Sequence, residues 1–162
     1  MGKNRIIGFI ILVIIGSIIS QCSSAKRDDA GKITKSGDLD AFVTQIGDCL
    51  KDFPFIPDSG TSVSTVDAVP CNEAHHWEVF YKSSINSSTY SEQGVIEAAN
   101  SICNSGLDAL SQSISSLKAS EYGDADINFL HPTSKSWTTK GDRAVDCLIG
   151  SETQLYYSSV LN

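Results

Sequence analysis

Five cysteines, Cys22, Cys49, Cys71, Cys103 and Cys147, restrict this chain more tightly than anything else in its 162 residues. The number is odd, and an odd thiol in a chain that leaves the cytoplasm needs an explanation. The explanation starts at the N-terminus. The basic "MGKNR" leads into "IIGFIILVIIGSIIS", Ile6 to Ser20, an apolar run broken only by small residues. A charged start followed by such a run is the form of a bacterial secretory signal. The run is short of the about 20 apolar residues that a membrane-spanning helix needs. Counted on to Ala25 it reaches that length, so an uncleaved transmembrane anchor stands as the alternative.

Directly after the run, "IISQCSS" resembles a lipoprotein signal, with Cys22 as the lipidated residue. Gln21 departs from that pattern, which has Gly, Ala or Ser there. Simple secretion is the third reading, and all three place the chain beyond residues 1–22 outside the cytoplasm. The basic residues before the run, with none after it until Lys26, agree with that orientation. If Cys22 carries lipid, four cysteines remain. Outside the cytoplasm paired cysteines form disulfides, so two bridges are expected.

Residues 23–40 carry mixed charge, Gly and Ser and show no apolar periodicity. They read as a flexible tether, their four Lys/Arg balanced by four Asp. Residues 41–162 read as the domain proper. They hold six Lys/Arg against fifteen Asp/Glu, a formal net charge of −9. That balance excludes nucleic acid as a partner and opposes lying flat on anionic lipid.

Along the domain, Phe42 to Phe53 reads as a short strand around Cys49, and Pro54, Pro57 and Gly60 mark a loop. "SVSTVDAVPC" sets Val63, Thr65 and Asp67 against Ser64, Val66 and Ala68, the alternation of a strand paired with the first. "HHWEVFYKS" continues extended, with Trp77, Val79 and Tyr81 on one face and His76, Glu78 and Phe80 on the other. Thr89 and Glu92 fit a capping box opening a helix. Val95, Ile96, Ala99, Ile102, Cys103, Leu107, Leu110, Ile114 and Leu117 trace one helical face, with Gly106 as a place to kink. "INFLHPTSKSW" reads as a strand broken at Pro132, Gly141-Asp142 as a hairpin tip, and "RAVDCLIGS" as the returning strand. It sets Val145, Cys147 and Ile149 against Ala144, Asp146 and Leu148. "LYYSSVL" reads as a last strand or tail. Strands grouped on either side of one long helix predict an α+β fold, an antiparallel sheet with the helix packed on one face.

The stretch "CNEAHHWE" has metal-ligating residue types. In an extended segment Cys71, Glu73 and His75 share a face, but adjacent His75 and His76 point to opposite faces and cannot hold one ion. Pairing of Cys71 in a disulfide removes its thiolate as well. No H-E-x-x-H, C-x-x-C, G-x-G-x-x-G or Walker loop occurs, and no G-x-S-x-G elbow, so no metal, cofactor or catalytic residue is assigned. Trp77 and Trp137 are expected in the core. Arg143, flanked by Asp142 and near Asp146, is expected in a structural ion pair or hairpin clamp.

Together "IGDCL", "AVPCNEAHHWEVF", the helix cysteine Cys103, "HPTSKSW" and "GDRAVDCLIG" resemble the actinobacterial septum formation domain of membrane-anchored and lipoprotein chains. The resemblance covers about Ile46 to Gly150. Ala74 stands where the family pattern has Pro. The matching positions include Asp48, His75, Glu78, Trp137, Gly141, Asp142 and Arg143, which the resemblance implies are structural. It implies a link to cell division or envelope growth and no catalysis. The four cysteines allow three connectivities. Cys49–Cys71 with Cys103–Cys147 is favoured, and the crossed Cys49–Cys147 with Cys71–Cys103 is the close alternative. The combined expectation is a membrane-tethered domain that binds or scaffolds an envelope or division protein. A cell-wall hydrolase or metal enzyme and a ligand-sensing domain are the rivals.

Overall fold

A computed structural model describes residues 23–52 and 63–162. Cys22, the signal segment and the loop residues Pro54, Pro57 and Gly60 lie outside the described residues. The elements in chain order are β1 (Lys26–Arg27), β2 (Ile33–Lys35), β3 (Gly37–Asp40), β4 (Cys49–Leu50), β5 (Thr65–Val69), β6 (Trp77–Ser84), α1 (Glu92–Ser113), α2 (Ser116–Glu121), β7 (Asp126–Leu130), α3 (Ser134–Lys140) and β8 (Ala144–Gly150). Six strands form one antiparallel sheet in the order β3-β5-β4-β6-β8-β7, and β1 and β2 form a separate small ribbon. The fold is α+β, as the strand and helix order predicts.

The expected alternation decides which face each strand buries. Val66 and Ala68 of β5 point into one apolar cluster, joined by Leu50, Trp77, Val79 and Leu148. Val145, Cys147 and Ile149 of β8 point the other way, into the cluster under α1 with Val95, Ala99, Cys103 and Leu110. Leu39 of the edge strand β3 belongs to the first cluster, and Leu130 of the opposite edge strand β7 packs against it. The sheet therefore curls, closing its concave face over that cluster while α1 covers the other side.

A register shift between Val79 and Tyr81 breaks the alternation in β6. Tyr81 was expected on the face of Trp77 and Val79. The bulge turns it instead toward the α1 side, where it packs with the cluster under the helix. A bulge inserts one residue and reverses the faces beyond it. Its partner in the helix is Gly106. A Cβ there would stand 2.5 Å from Tyr81 Cγ, so the ring occupies the space a side chain would need. Gly106 is thus a packing residue rather than the expected kink, and α1 runs unbroken through it. The helix ends at Ile114, and Ser115 caps α2.

Other local readings need correction. Residues 23–40, read as a flexible tether, carry β1, β2 and β3, and Ile33 and Leu39 are buried. Their apolar residues were too sparse to show periodicity because the partners they cover, Val66 and Ala68, are distant in sequence. The strand read across Phe42 to Phe53 shrinks to Cys49–Leu50 within the described residues, and Ala41–Val43 forms a 3-10 turn that Asp40 caps. The cap of α1 is Ser91, accepting from Gly94 N at 3.1 Å, rather than Thr89. "PTSKSW" is not strand. Thr133 and Ser136 cap one another reciprocally and open α3, which ends at Gly141 in the left-handed conformation. Gly141 is therefore a helix stop and not a hairpin tip.

The disulfides are Cys49–Cys71, joining β4 to the loop after β5, and Cys103–Cys147, joining α1 to β8. Both are the favoured pairing. They close loops of 22 and 44 residues in separation, each worth about 3–4 kcal/mol by restricting the unfolded chain. The double variant Cys103→Ser/Cys147→Ser is expected to lose about 2–5 kcal/mol of unfolding free energy in denaturant titration. Gly106→Ala is expected to lose about 1–2 kcal/mol, despite the roughly 1 kcal/mol that alanine adds to a helix interior. Gly106→Ala is expected to cost less in a Tyr81→Ala background, which removes the two nearest atoms, Cγ and Cδ1; an unchanged midpoint in Gly106→Ala alone would refute the contact.

Candidate functional site

The motif around His75 and Glu78 folds into a buried polar cluster that receives the end of the chain. After β8 the chain turns back past β6. Tyr156 and His75 exchange backbone hydrogen bonds at 2.8 and 3.1 Å. Beyond it, Ser159 Oγ donates to Glu78 Oε1 and Val160 N donates to Glu78 Oε2, both at 2.6 Å. Glu78 is fully buried, and both its carboxylate oxygens are engaged by the tail. Burial pushes its carboxyl above the ordinary range, opposed by the two tail donors.

His75 is equally buried. Its Nδ1 lies 2.8 Å from the Glu73 carbonyl, which can only accept, so Nδ1 carries the proton. Nε2 is then a bare acceptor with no hydrogen-bond partner among the described residues. Burial lowers the His75 pKa, so the ring is held neutral. Tyr156 lies beside it and stacks on Tyr122 with centroids 4.2 Å apart and planes 8° apart. Tyr122 OH donates to Ser158 O at 2.7 Å, and burial raises the pKa of both phenols. Lys118 completes the rim, pairing with Glu121 at 3.4 Å and donating to Ser158 Oγ.

The adjacent histidines diverge, as an extended segment requires. His76 Nδ1 faces the carbonyls of Ser151 and Gln154, each at 2.9 Å, and so holds the turn after β8. The sulfurs of Cys49 and Cys71 and a carboxylate oxygen of Glu78 lie within 4.8 Å of one another, a ligand-like group by distance alone. The two sulfurs share a disulfide and Glu78 is held by the tail, so the group has no thiolate to offer a metal.

The other motif residues are placed apart from this cluster. Asp48 takes a bidentate ion pair from Arg27, at 2.5 and 2.6 Å, and accepts Gln45 N. Hydrogen bonding to Asp48 raises the Arg27 pKa further. Among the described residues Arg143 makes no carboxylate pair. Its guanidinium stacks 3.4 Å from the Trp137 ring centroid and donates to the carbonyls of Asp142, Trp137 and Ser87. The Asp142 carboxylate instead accepts Ser136 Oγ and Ala144 N. Trp77 and Trp137 are both core residues, Trp137 from a helix rather than a strand. Asp146 pairs with Lys82 at 2.8 Å and accepts from Thr44, a polar knot that sequence reading passed over. Its signal was the bulge, which moves Lys82 opposite Asp146.

Among the described residues no helix is long and apolar enough to cross a membrane. No family model, curated protein or solved structure matches the chain.

The cluster has a definite pH signature. His75 binds its proton less readily folded than unfolded, so its contribution is full above about 6.5 and is lost as pH falls through its depressed folded value. Glu78 has the opposite slope. The folded chain keeps its proton above 4.5, where the unfolded chain releases it, so stability falls as pH rises from there through the raised folded value. His75→Asn, whose amide can still donate to the Glu73 carbonyl, is expected to flatten the acid-side decline in a pH series of denaturant midpoints. Glu78→Ala is expected to cost about 2–4 kcal/mol and to deprotect the Val160 amide in hydrogen exchange. An equally protected Val160 would show that the tail is held elsewhere.

Proposed function

We propose that this chain is a membrane-anchored extracytoplasmic domain that binds or scaffolds a partner protein at the cell envelope, in a process such as septum formation. The observation that carries the reading is cysteine pairing. Two disulfides use Cys49, Cys71, Cys103 and Cys147 and leave Cys22 over, directly behind an apolar run. Disulfides of this kind persist in oxidising compartments, and a leftover cysteine at that position suits lipid attachment. The resemblance to the septum formation domain supplies the process.

A binding role is supported by how the motif residues are used. Asp48 holds the N-terminal ribbon, Glu78 the C-terminal tail, Asp142 and Arg143 the end of α3. Asp48, Glu78 and Arg143, the last through Ser87, join segments far apart in the chain, and Asp142 acts locally; this is the work of a frame that presents a surface.

The test is made on membranes from cells expressing the full chain. The wild type is expected in the detergent phase after phase separation, with a lipid-modified Cys22 as its N-terminal residue by mass spectrometry. An unmodified Cys22 still preceded by the apolar run would replace the lipid by a helical anchor. Affinity capture from the same membranes is expected to recover a division or envelope protein, with a fluorescent fusion gathering at the division site. Uniform distribution around the cell would remove the septal part of the proposal.

A further inference from the structure

The N-terminal ribbon has a second feature that the anchoring role does not explain. Chain and sheet are joined immediately after Cys22. Ser23 O accepts Asp38 N and Asp38 O accepts Ala25 N, both at 3.0 Å. Gly37 lies so close that a Cβ on it would fall 1.8 Å from Ser23 O. With no slack there, Lys26, four residues on, stays within about 13 Å of Cys22. The ribbon therefore stays close to whatever holds Cys22, with Gly37 and Asp38 of β3 beside it.

That ribbon places like charges together. Lys26 and Lys35 are direct partners across β1 and β2, and both are exposed. Like charges directly opposite in a sheet repel. Lys32 is exposed on the same ribbon, and none of the three joins an ion pair among the described residues. The fourth cation, Arg27, faces inward to Asp48. The nearby acids are Asp28, Asp29, Asp38 and Asp40, together with Glu73, which accepts Ser36 Oγ at 2.9 Å, and Asp67, the β5 partner of Asp38. Asp28 folds back on its own turn, accepting Ala30 N and Lys32 N. Asp29 and Asp38 are exposed. The acids that give the rest of the domain its negative charge act weakly beyond the screening length of about 8 Å.

We infer that the β1–β2 ribbon is a membrane-docking element, with Lys26, Lys32 and Lys35 taking the phosphates of anionic phospholipid around the anchor. This rests on the anchoring reading above. The expectation against contact with anionic lipid concerned residues 41–162; in residues 23–40 the charges balance, and folding sets three lysines, without an ion pair among the described residues, near the anchor. An anionic surface would relieve the Lys26–Lys35 repulsion and attract each nearby lysine by about fivefold in partition.

The full chain is reconstituted into vesicles of phosphatidylcholine alone or with phosphatidylglycerol, and its lysines are acetylated. With phosphatidylglycerol present, Lys26, Lys32 and Lys35 are expected to react several-fold more slowly than with phosphatidylcholine alone, while exposed Lys135 on α3 is unchanged. High salt is expected to restore their reactivity. In Lys26→Gln/Lys35→Gln, protection of Lys32 is expected to vanish, with circular dichroism confirming the fold. Flotation with phosphatidylcholine vesicles reads the anchor separately. A chain that floats but shows equal labelling in both vesicle types overturns the docking element alone. A chain that floats with neither overturns the anchor and the docking element together.

Discussion

The rest of the molecule depends on one irregularity, the register shift in β6 at Phe80. Before it, Trp77 and Val79 fill the concave core and Glu78 faces the other way. After it, Tyr81 fills the groove at Gly106 and Lys82 meets Asp146. A regular strand would send Tyr81 into the concave core and leave Gly106 facing a void under the helix. It would also turn Lys82 to the helix side, separating it from Asp146 and Thr44. The bulge thus fits one central strand to two differently shaped layers.

The β1–β2 ribbon and the C-terminal tail are fastened in the same manner, each by a buried carboxylate. Asp48 takes the guanidinium of Arg27, and Glu78 takes a hydroxyl and an amide of the tail. A buried carboxylate is costly unless its oxygens are satisfied, so removing its partner penalises the folded state more than the bond alone is worth. Terminal segments of this length usually fray. Here each is held by a buried carboxylate, which ties both segments to the core. The neutral His75 beside the tail adds an acid-sensitive member to one of these fastenings.

Features with a local cause could be read from the sequence. The three- and four-residue gaps from Val95 to Leu110 gave α1 its buried face, and the alternation in Val63–Ala68 and Val145–Ile149 assigned two strands correctly. The grouping of strands about that helix was enough for the fold class. Features with distant causes could not be read. Arg27 and Asp48 are 21 residues apart, and Glu78 and Val160 are 82 apart, with nothing nearby to link them. Residues 23–40 looked like a tether because Ile33 and Leu39 are isolated apolar residues whose cover comes from β5. In α3 the cue was local but short: a seven-residue helix leaves too few turns for periodicity, and only the Thr133–Ser136 pair announced it. For the motif around His75, separation of the two histidines followed from strand geometry, whereas the tail that Glu78 receives had no signature.

The disulfide connectivity has a consequence for how such a chain acquires its covalent frame. The two closed loops, Cys49 to Cys71 and Cys103 to Cys147, follow one another and do not overlap. Any chain that emerges N-terminus first presents Cys71 to Cys49 before either later cysteine exists as a competitor, and domains fold in that same direction. Once that bridge closes, Cys103 has Cys147 as its one remaining partner among the four. The crossed arrangement would oblige Cys49 to wait for nearly the whole chain. Order of appearance alone therefore leads to the native pairing, and correct oxidation needs little reshuffling.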